Sequence, residues 1–373
     1  MRVHKLFLTV AISLGTSAFA QEGTDIIVGA SLPLSGFNAA AGKEGLAAAN
    51  AYFEAVNKAG GIGGRKIVLR VLDDEFNATK AAENAKKLID DKAIAIFNCW
   101  GTSSCSAMMP IITEAKIPLV TGISGGGPMR QQPGRYAFNM RATTEMEIAR
   151  MVNQMVTIGQ NNIALVYQND PFGKSGQVAA ASVFAKANLK PVAEIAIERD
   201  SSNQANVIEA LTKLKGLNGI ILVAAPPATV KLIPAVRKAG VIALFYNLAA
   251  QANSKVVQDL GEHTTGVVFT TLVPSPWKSA IPIVKEYQQI ISSATGKDDF
   301  SYLGMEIFIN AHILVDGLRK AGKKLTRESL VDGLETMGNK RFGPIDLDFG
   351  RGNHDGSSYV GLTIINRQGG FVE

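Results

Sequence analysis

Residues 93–124 read AIAIFNCWGTSSCSAMMPIITEAKIPLVTGIS and contain two apolar segments, 94–97 and 117–120, each followed by Gly, Ser and Thr residues. Short apolar runs bounded by turn residues predict buried strands. Between them, Met108 and Ile112 have the spacing of apolar residues on one face of a helix. The stretch therefore predicts a strand–helix–strand unit, which is the repeating unit of a parallel α/β sheet.

The loops behind the two predicted strands form a candidate binding site. Ligands of open α/β sheets bind outside the carboxyl ends of the strands. A helix that starts after Gly101 directs unpaired N–H groups and the positive end of its dipole into this region, and Thr102, Ser103 and Ser104 supply hydroxyls that can cap it. Such a site favours a carboxylate or another anion. The alternative is an ordinary strand–helix turn without a ligand.

The same alternation of strands and amphipathic helices continues on both sides of this stretch. Strands are predicted before it at 26–30 and 67–72, and after it at 163–167, behind a helix that a capping box of Thr144 and Glu147 would start. The second half thus repeats the order of elements in the first half. We expect two α/β lobes with parallel sheets that face each other across a cleft, which is a favoured place for a ligand.

The composition indicates a folded, secreted protein. The chain has 373 residues, more than one core usually contains, and its 46% hydrophobic and 19% charged residues exclude general disorder. Residues 1–20 combine a basic start, an apolar centre and Ala18-Phe19-Ala20, which predicts a signal peptide cleaved after Ala20. The net charge of +6 is scattered and gives no indication of nucleic-acid binding.

Cys99 and Cys105 are the only two cysteines of the chain. In an exported protein they can form a disulfide, and their spacing allows a small loop from the strand end to the first helical turn. Two reduced, half-buried thiols are an equally good interpretation. Two cysteines without a neighbouring histidine do not predict a metal site.

Five short segments carry a resemblance to a known family. They are Val28-Gly29-Ala30 with Pro33-Leu34-Ser35-Gly36, Asn57-Lys58-Ala59-Gly60-Gly61-Ile62, Asp73-Asp74, Asp170-Pro171-Phe172-Gly173, and Gly343-Pro344 with His354-Asp355-Gly356. In this order, and with the predicted signal peptide, the chain resembles the branched-chain amino-acid (Leu/Ile/Val)-binding family of periplasmic substrate-binding proteins of ABC transporters. The resemblance extends over essentially the whole chain after the signal peptide, and it is specific for the family but not for the ligand.

The resemblance implies a type I periplasmic binding protein fold, with two Rossmann-like lobes joined by three crossings that act as a hinge. The expected limits are 24–142 with 272–342 for lobe I, and 143–271 with 343–373 for lobe II. It also implies a periplasmic monomer that binds a small molecule and docks on an ABC permease in the inner membrane, with no cofactor, metal or enzymatic activity. A protein of the same fold that senses a ligand for a membrane receptor is the alternative.

The resemblance assigns ligand contacts to loops that the residue pattern also singles out. It places the ligand carboxylate on the hydroxyl and amides at Gly101 and Thr102 and on the loop of Ile123, Ser124 and Gly125. It places an aromatic ring of the second lobe, Phe172, over the ligand.

Three departures from the family pattern bear on the ligand. Amino-acid-binding relatives hold the ligand ammonium with an acidic side chain after the strand at 245–246, where this chain has Ala249. An expected tyrosine falls at Pro226, and an expected aromatic residue falls near Ala41. A buried ammonium without an anionic partner carries a desolvation cost. We therefore expect a carboxylic acid with a bulky apolar or aromatic body and no α-amino group, with branched-chain amino-acid binding as the alternative.

Two further features of the sequence have more than one interpretation. Trp100 adjoins the predicted site, so it either stacks on the ligand or packs in the core. Asp73 and Asp74 are adjacent at a strand end, so they point to opposite sides and are expected to cap the loop and meet solvent.

Two enzyme classes match parts of the sequence. The segment 122–126 matches the G-x-S-x-G pattern of an esterase around Ser124, but Gly125-Gly126-Gly127-Pro128 cannot begin the helix that must follow a nucleophile elbow. The glycines at 60–64 close a predicted helix, whereas the dinucleotide-binding fingerprint of a dehydrogenase opens one. Both patterns therefore favour a binding protein.

Overall fold

The computed structural model describes residues 24–131, 134–366 and 368–373. The predicted signal peptide at 1–20 lies outside these residues. Along the described part of the chain, no helix combines the length and the apolar character that crossing a membrane requires. The described residues form two α/β lobes, each built on its own sheet, which confirms the predicted fold class.

The first lobe begins with five strands that form one parallel sheet. The strands are β1 (Ile26–Leu32), β2 (Ile67–Asp73), β3 (Ala95–Phe97), β4 (Leu119–Val120) and β5 (Ala137–Phe138). The helices of this part are α1 (Ala39–Lys58), α2 (Ala78–Asp90), α3 (Thr102–Glu114) and α4 (Pro128–Gln131), with a 3₁₀ turn at Gly36–Asn38. The strand order is β2-β1-β3-β4-β5. The central strands β3 and β4 are buried along their whole length, as expected where helices cover both faces of a sheet.

The second lobe repeats this arrangement. Its strands are β6 (Ile163–Gln168), β7 (Ala193–Ile197), β8 (Gly219–Val223), β9 (Leu244–Asn247) and β10 (Val267–Thr271). Its helices are α5 (Thr144–Thr157), α6 (Pro171–Lys186), α7 (Gln204–Thr212), α8 (Pro226–Lys238) and α9 (Ser254–Leu260), with 3₁₀ turns at Ala249–Gln251 and Gly261–Thr264. These five strands are parallel to their neighbours.

The last quarter of the chain contributes to both lobes. It consists of α10 (Pro282–Thr295), α11 (Tyr302–Ala321), α12 (Arg327–Glu335), a hairpin of β11 (Gly338–Phe342) and β12 (Ile345–Phe349), and the strands β13 (Gly361–Ile365) and β14 (Phe371–Val372). The three helices return to the first lobe, where α11 packs on α1 and α12. The last two strands join the second sheet antiparallel to their neighbours and complete the order β14-β13-β10-β9-β8-β6-β7.

Helix α11 is buried on nearly every side because it lies between α1 and α12. A helix with buried residues on all sides is expected at such a central position. At its contact with α12, a Cβ atom on Gly333 would lie 2.6 Å from the backbone oxygen of Gly317. The two backbones therefore approach more closely than any larger residue at 333 would allow.

The chain passes between the lobes three times, after β5, β10 and β12. Two of these crossings are bonded to each other: the backbone N–H of Asn139 donates to His354 (2.7 Å), and that of Gly356 donates to Asn139 (2.8 Å). The limit expected at 342–343 falls in the turn of the β11–β12 hairpin, so a crossing there would separate two paired strands. This pairing argues for a third crossing at 350–360, and the limits of the lobes otherwise remain a prediction.

Candidate functional site

A cavity lies between the two lobes and is lined by residues of both. The volume inside it that the centres of water molecules can reach is about 80 Å³. This is several times the roughly 10–15 Å³ that one water needs. Residues from the first turns of α3, α5, α6, α8 and α11 reach its wall. N–H groups at a helix start lack intrahelical partners. Side chains cap α5, α6 and α11, and two prolines without N–H groups open α8. The start of α3, which no side chain caps, is therefore the turn that favours a negatively charged or hydrogen-bond-accepting group.

Eight of the ten residues proposed from the sequence line this cavity. They are Trp100, Gly101, Thr102, Ile123, Ser124 and Gly125 of the first lobe, and Phe172 and Pro226 of the second. Ala249 and Ala41 are absent from the described lining. Ala41 lies instead at a second hollow, which Pro226 also lines.

The start of α3 differs from the prediction by one residue. Gly101, at φ 81°, is the N-cap and no side chain caps the helix, so the prediction that hydroxyls of residues 102–104 cap it is wrong. The left-handed conformation of glycine lets the chain enter the helix early and makes Thr102 its first residue. A Cβ at position 101 would also lie 2.6 Å from the ring of Phe76, which packs against this glycine.

The Thr102 hydroxyl is thereby available to the neighbouring loop. Its Oγ1 lies 3.0 Å from Oγ of Ser124, and both side chains are buried. The backbone N–H of Gly126 donates to the same Ser124 oxygen (3.2 Å). The predicted carboxylate loops are thus joined by a pair of hydroxyls at the wall of the cavity.

Cys99 and Cys105 form a disulfide, which decides between the two interpretations of the sequence. Both residues are fully buried. The bond joins the residue just before Trp100 to the first turn of α3 and so encloses the segment that lines the cavity. Its surroundings are tight, because a Cβ on Gly122 would lie 2.9 Å from Sγ of Cys99.

Trp100 belongs both to the core and to the cavity wall. Only 5% of its surface is exposed, and its backbone pairs with that of Ile123. Its six-membered ring lies against Gly45 of α1, where a Cβ would come within 3.1 Å. The two interpretations of this residue are therefore compatible, and stacking on a ligand remains a prediction.

The wall of the second lobe is organised by Asp170. Its carboxylate caps α6 by accepting from the N–H of Gly173 (3.0 Å) and accepts a second bond from the amide of Gln168. The oxygen of Gln168 in turn accepts from the N–H of Ala225 (3.0 Å) at the start of α8. This chain of bonds fixes the turns that carry Phe172 and Pro226.

Two buried ionisable side chains, Arg141 and Glu147, line the cavity, and a third, Glu306, is paired with Arg141. Arg141 donates from Nε and Nη2 to both oxygens of Glu306 (2.8 and 2.9 Å). Burial lowers the pKa of Arg141, but the charge of Glu306, its hydrogen bonds and the charge of Glu147 together outweigh this effect, and the pKa lies above its usual value. Burial raises the pKa of Glu147, although Arg141 and two hydrogen bonds oppose this effect. A buried, paired cation and a second carboxylate therefore line the same cavity.

Glu147 was assigned to a capping box with Thr144, and this prediction is wrong. The N-cap is Thr143, whose hydroxyl accepts from the N–H of Met146 (3.2 Å). The carboxylate of Glu147 instead accepts from the N–H of Ala249 (2.8 Å) and from the hydroxyl of Thr270. An acidic group therefore lies beside Ala249, the position at which the family pattern has an acidic side chain.

Asp73 and Asp74 hold a loop, as expected, but only Asp73 is exposed. Asp73 accepts from the N–H of Leu34 (2.8 Å) and from Ser35. Asp74 is buried and accepts from the hydroxyl of Ser31 and from the N–H of Phe76 (both 2.9 Å). Its carboxylate thus positions the loop that places the Phe76 ring in the cavity wall.

Sequence reasoning missed several residues of the site. Arg199 and Phe76 line the cavity, and the Arg199 guanidinium lies 4.8 Å from the centre of the Phe76 ring. Gln251 also lines it and is 1% exposed. Each of these residues follows the end of a strand, and this position is the only indication in the sequence that they belong to the site. The sequence does not show which loops of the two lobes lie opposite each other.

Arg130 connects the site to the crossings. It donates to the backbone oxygens of Ser124 and Arg141 (both 2.7 Å) and forms an ion pair with Asp355 (3.2 Å). Burial lowers its pKa. The loop at Ser124 leads to α4, which begins only at Pro128, so the geometry of a nucleophile elbow is not formed. Among the described cavity-lining residues, none is a histidine.

Comparison with known proteins identifies the family. A family model described as periplasmic binding protein matches residues 25–369. An amino acid binding protein of Pseudomonas aeruginosa is 25% identical over 271 residues, which is 71% of each chain. A Leu/Ile/Val-binding protein homolog of Brucella melitensis is 24% identical over 213 residues, or 57% of each chain.

Solved structures agree with the described fold. A substrate-binding periplasmic protein of Ralstonia solanacearum has a TM-score of 0.86 at 28% identity, covering 93% of this chain and 99% of the other. A possible leucine/isoleucine/valine-binding protein of Rhodopirellula baltica has a TM-score of 0.87 at 24% identity, covering 93% and 96%. The length of the family match and the shared two-lobed fold lead to one conclusion: the chain belongs to the periplasmic binding protein family.

Proposed function

We propose that this protein captures a small carboxylate-bearing ligand in the cavity between its lobes and delivers it to an ABC importer. The observation that carries the proposal is the meeting of the α3 N-terminus with the Thr102–Ser124 hydroxyl pair at the wall of a buried cavity. A carboxylate placed there accepts hydrogen bonds from N–H groups that the helix itself leaves unpaired.

The rest of the cavity wall favours an apolar or aromatic body on the ligand. Trp100 and Phe172 come from opposite lobes, and Leu303 and Pro226 add apolar surface between them. Aromatic rings on two sides of a ligand bury a large apolar area and accept offset or edge-on stacking. The proposed ligand is therefore an apolar or aromatic carboxylic acid without an α-amino group.

Glu147 supports an amino acid as a second candidate. The preference for an acid without an amino group rested on the alanine at 249, yet the carboxylate of Glu147 bonds to the backbone of that residue and lines the cavity. A buried carboxylate can hold a ligand ammonium group. Relatives named for amino acids and for leucine, isoleucine and valine agree with this candidate.

A ligand screen separates the two candidates. Isocaproate and leucine share one skeleton, and phenylpropanoate and phenylalanine share another, so each pair differs only in the α-amino group. The four compounds are titrated by calorimetry into the wild type and into Glu147→Gln. We expect the acid of at least one pair to bind at least as tightly as its amino acid, and Glu147→Gln to leave its affinity within threefold.

Other outcomes decide against parts of the proposal. Amino acids that bind at least tenfold more tightly than the matching acids, with the preference lost in Glu147→Gln, would establish the second candidate. If none of the four binds the wild type, the proposed carboxylate site is wrong.

Export and delivery belong to the same proposal. Residues 1–20 direct secretion and are removed after Ala20, the mature protein is a monomer, and the closed, loaded form docks on a membrane permease. The mass of the exported protein and its elution volume in size-exclusion chromatography check the first two statements. Ligand uptake by vesicles that contain the permease checks the third.

A further inference from the structure

We infer that the ligand carries a hydrogen-bond donor, a hydroxyl or an ammonium group, that binds the side-chain oxygen of Gln251. This inference rests on the proposed function, because it requires the ligand to occupy the cavity between the lobes. It makes Gln251 a residue that determines specificity on the wall of the second lobe.

Gln251 is held in the cavity wall with half of its amide unused. It ends the 3₁₀ turn Ala249–Gln251 behind β9, lines the cavity and is 1% exposed. Its Nε2 donates to the backbone oxygen of Ala224. Among the residues that the structure describes, Oε1 has no hydrogen-bond partner. Other buried oxygens of the described residues also have no partner, but Gln251 differs from them because it lines the cavity, where a ligand can supply the bond that buried polar atoms usually make.

The orientation of this amide follows from its neighbour. Exchanging oxygen and nitrogen would bring the side-chain oxygen against the carbonyl oxygen of Ala224, where neither atom can donate. The side-chain oxygen of Gln251 is therefore the atom that has no partner.

Comparable polar side chains in the same wall already have partners. The oxygen of Gln168 accepts from Ala225, its nitrogen donates to Asp170, and the carboxylate of Asp170 also accepts from Gly173. These side chains are used to fix helix starts. Gln251 differs from them because the structure assigns no bond to its oxygen.

The two walls of the cavity are complementary in their hydrogen-bonding character. The first lobe offers donors at the start of α3, next to the hydroxyl of Thr102. The second lobe offers the acceptor of Gln251 and the carboxylate of Glu147. A molecule that satisfies both walls has a carboxylate on one side and a donor on another. A bare hydrocarbon acid would leave the Gln251 oxygen buried and unbonded, which lowers affinity.

Matched ligands test the requirement for a donor. Phenylpropanoate has none beyond its acid group, its ring-hydroxylated analogue has one at the far end of the ring, and phenylalanine has one at the α-carbon. Isocaproate, its α-hydroxy analogue and leucine form a second set. We expect one donor-bearing member of a set to bind the wild type about tenfold more tightly than its bare acid. The position of that donor identifies it as a hydroxyl or an ammonium group.

Two variants assign the preference to Gln251. Gln251→Met keeps the length of the side chain and removes its polar atoms, and we expect the ratio of the two affinities to fall to about one. Since both ligands are measured on the same variant, a general loss of stability cancels in this ratio. Gln160→Met is the matched control, because the oxygen of Gln160 is also buried and without a partner among the described residues but lies outside the cavity lining. It should keep the wild-type ratio.

The outcomes separate this inference from the proposed function. If the bare acid binds the wild type as tightly as every donor-bearing analogue, or if Gln251→Met keeps the preference, the inference is wrong while the carboxylate site stands. If no compound of either set binds the wild type, the proposed function fails and the inference fails with it.

Discussion

The hydroxyl of Thr102 is the side-chain group on which the proposed carboxylate site most depends. It is free to face the neighbouring loop because Gly101, and not a hydroxyl residue, occupies the N-cap of α3. Its contact with Ser124 sets the distance between the two loops that follow β3 and β4. A change at this residue is therefore expected to affect both the proposed ligand contact and the alignment of the two loops.

Replacing Thr102 with valine keeps the shape of the side chain and removes the hydroxyl. A hydrogen bond to a charged group contributes about 1.5–3 kcal/mol, so we expect the dissociation constant for a bound acid to rise about tenfold or more. Thr102→Ser keeps the hydroxyl and should remain within a few-fold of the wild type. Titration calorimetry measures both, and a valine variant with unchanged affinity would contradict the proposed contact.

Individual site residues could be predicted where they belong to a local pattern. The loops of Thr102 and Ser124 follow from strand ends and turn residues. Glu147 could not be recognised, because its spacing from Thr144 imitates a capping box, while the actual cap is one residue earlier. Gln251 and Arg199 meet the cavity only through the pairing of distant segments, which one sequence does not reveal.

The disulfide acts at the scale of a secondary-structure element. It joins the end of β3 to the first turn of α3, and the residues between its two cysteines include Trp100, Gly101 and Thr102. Constraining this short loop reduces the conformational freedom of the unfolded chain. It also holds the cavity-lining turn in place before a ligand arrives, which reduces the ordering cost of binding.

Cys99→Ser combined with Cys105→Ser removes this constraint without leaving a free thiol. The loop-entropy relation gives a loss of about 2 kcal/mol in the free energy of unfolding. We expect this loss in a denaturant titration, together with a several-fold weaker ligand affinity. The wild type with the disulfide reduced is the control and should resemble the double variant. Unchanged affinity alongside reduced stability would show that the bond does not organise the site.

Regular elements were predictable to the extent that their apolar pattern is local. The alternation of strands and helices predicted both sheets and the parallel direction of β1 to β10, but not the antiparallel strands β13 and β14. The β11–β12 hairpin was not predicted, because exposed residues of β11, such as Asn339 and Arg341, interrupt the apolar pattern. Its pairing depends on β12, where alternate residues are buried against the first lobe.

At the scale of the whole molecule, the described conformation is closed. The guanidinium of Arg199 in the second lobe lies over the ring of Phe76 in the first, and it donates to the backbone oxygen of the same residue (3.4 Å). The N–H of Gly127 donates across the cleft to the hydroxyl of Ser175 (3.1 Å). Such contacts between the lobes exist only when the cleft is shut, so they add to the stability of the closed state.

Arg199→Ala removes the contact with Phe76 and should favour opening. A cation–π contact at an exposed site contributes about 0.5–1 kcal/mol, so we expect ligand release to become roughly two to five times faster. Arg199→Lys keeps the charge without the planar group, and its rate of ligand release should lie between those of the wild type and Arg199→Ala. Stopped-flow release and interlobe energy transfer measure the effect. Arg70→Ala, an exposed arginine outside the cavity lining, should behave as wild type, and equal release from all variants would contradict this role.

The largely buried side chain of Arg130 has a consequence for how the two lobes are connected. One guanidinium holds the carbonyl of Ser124 beside the cavity, the carbonyl of Arg141 on one crossing and the carboxylate of Asp355 on another. A shift of the Ser124 loop by a few tenths of an ångström would therefore be transmitted through Arg130 to both of these crossings. Arg130 therefore connects the loop proposed to bind the ligand with two of the three crossings, and we expect the empty and the ligand-bound protein to differ in conformation at those crossings.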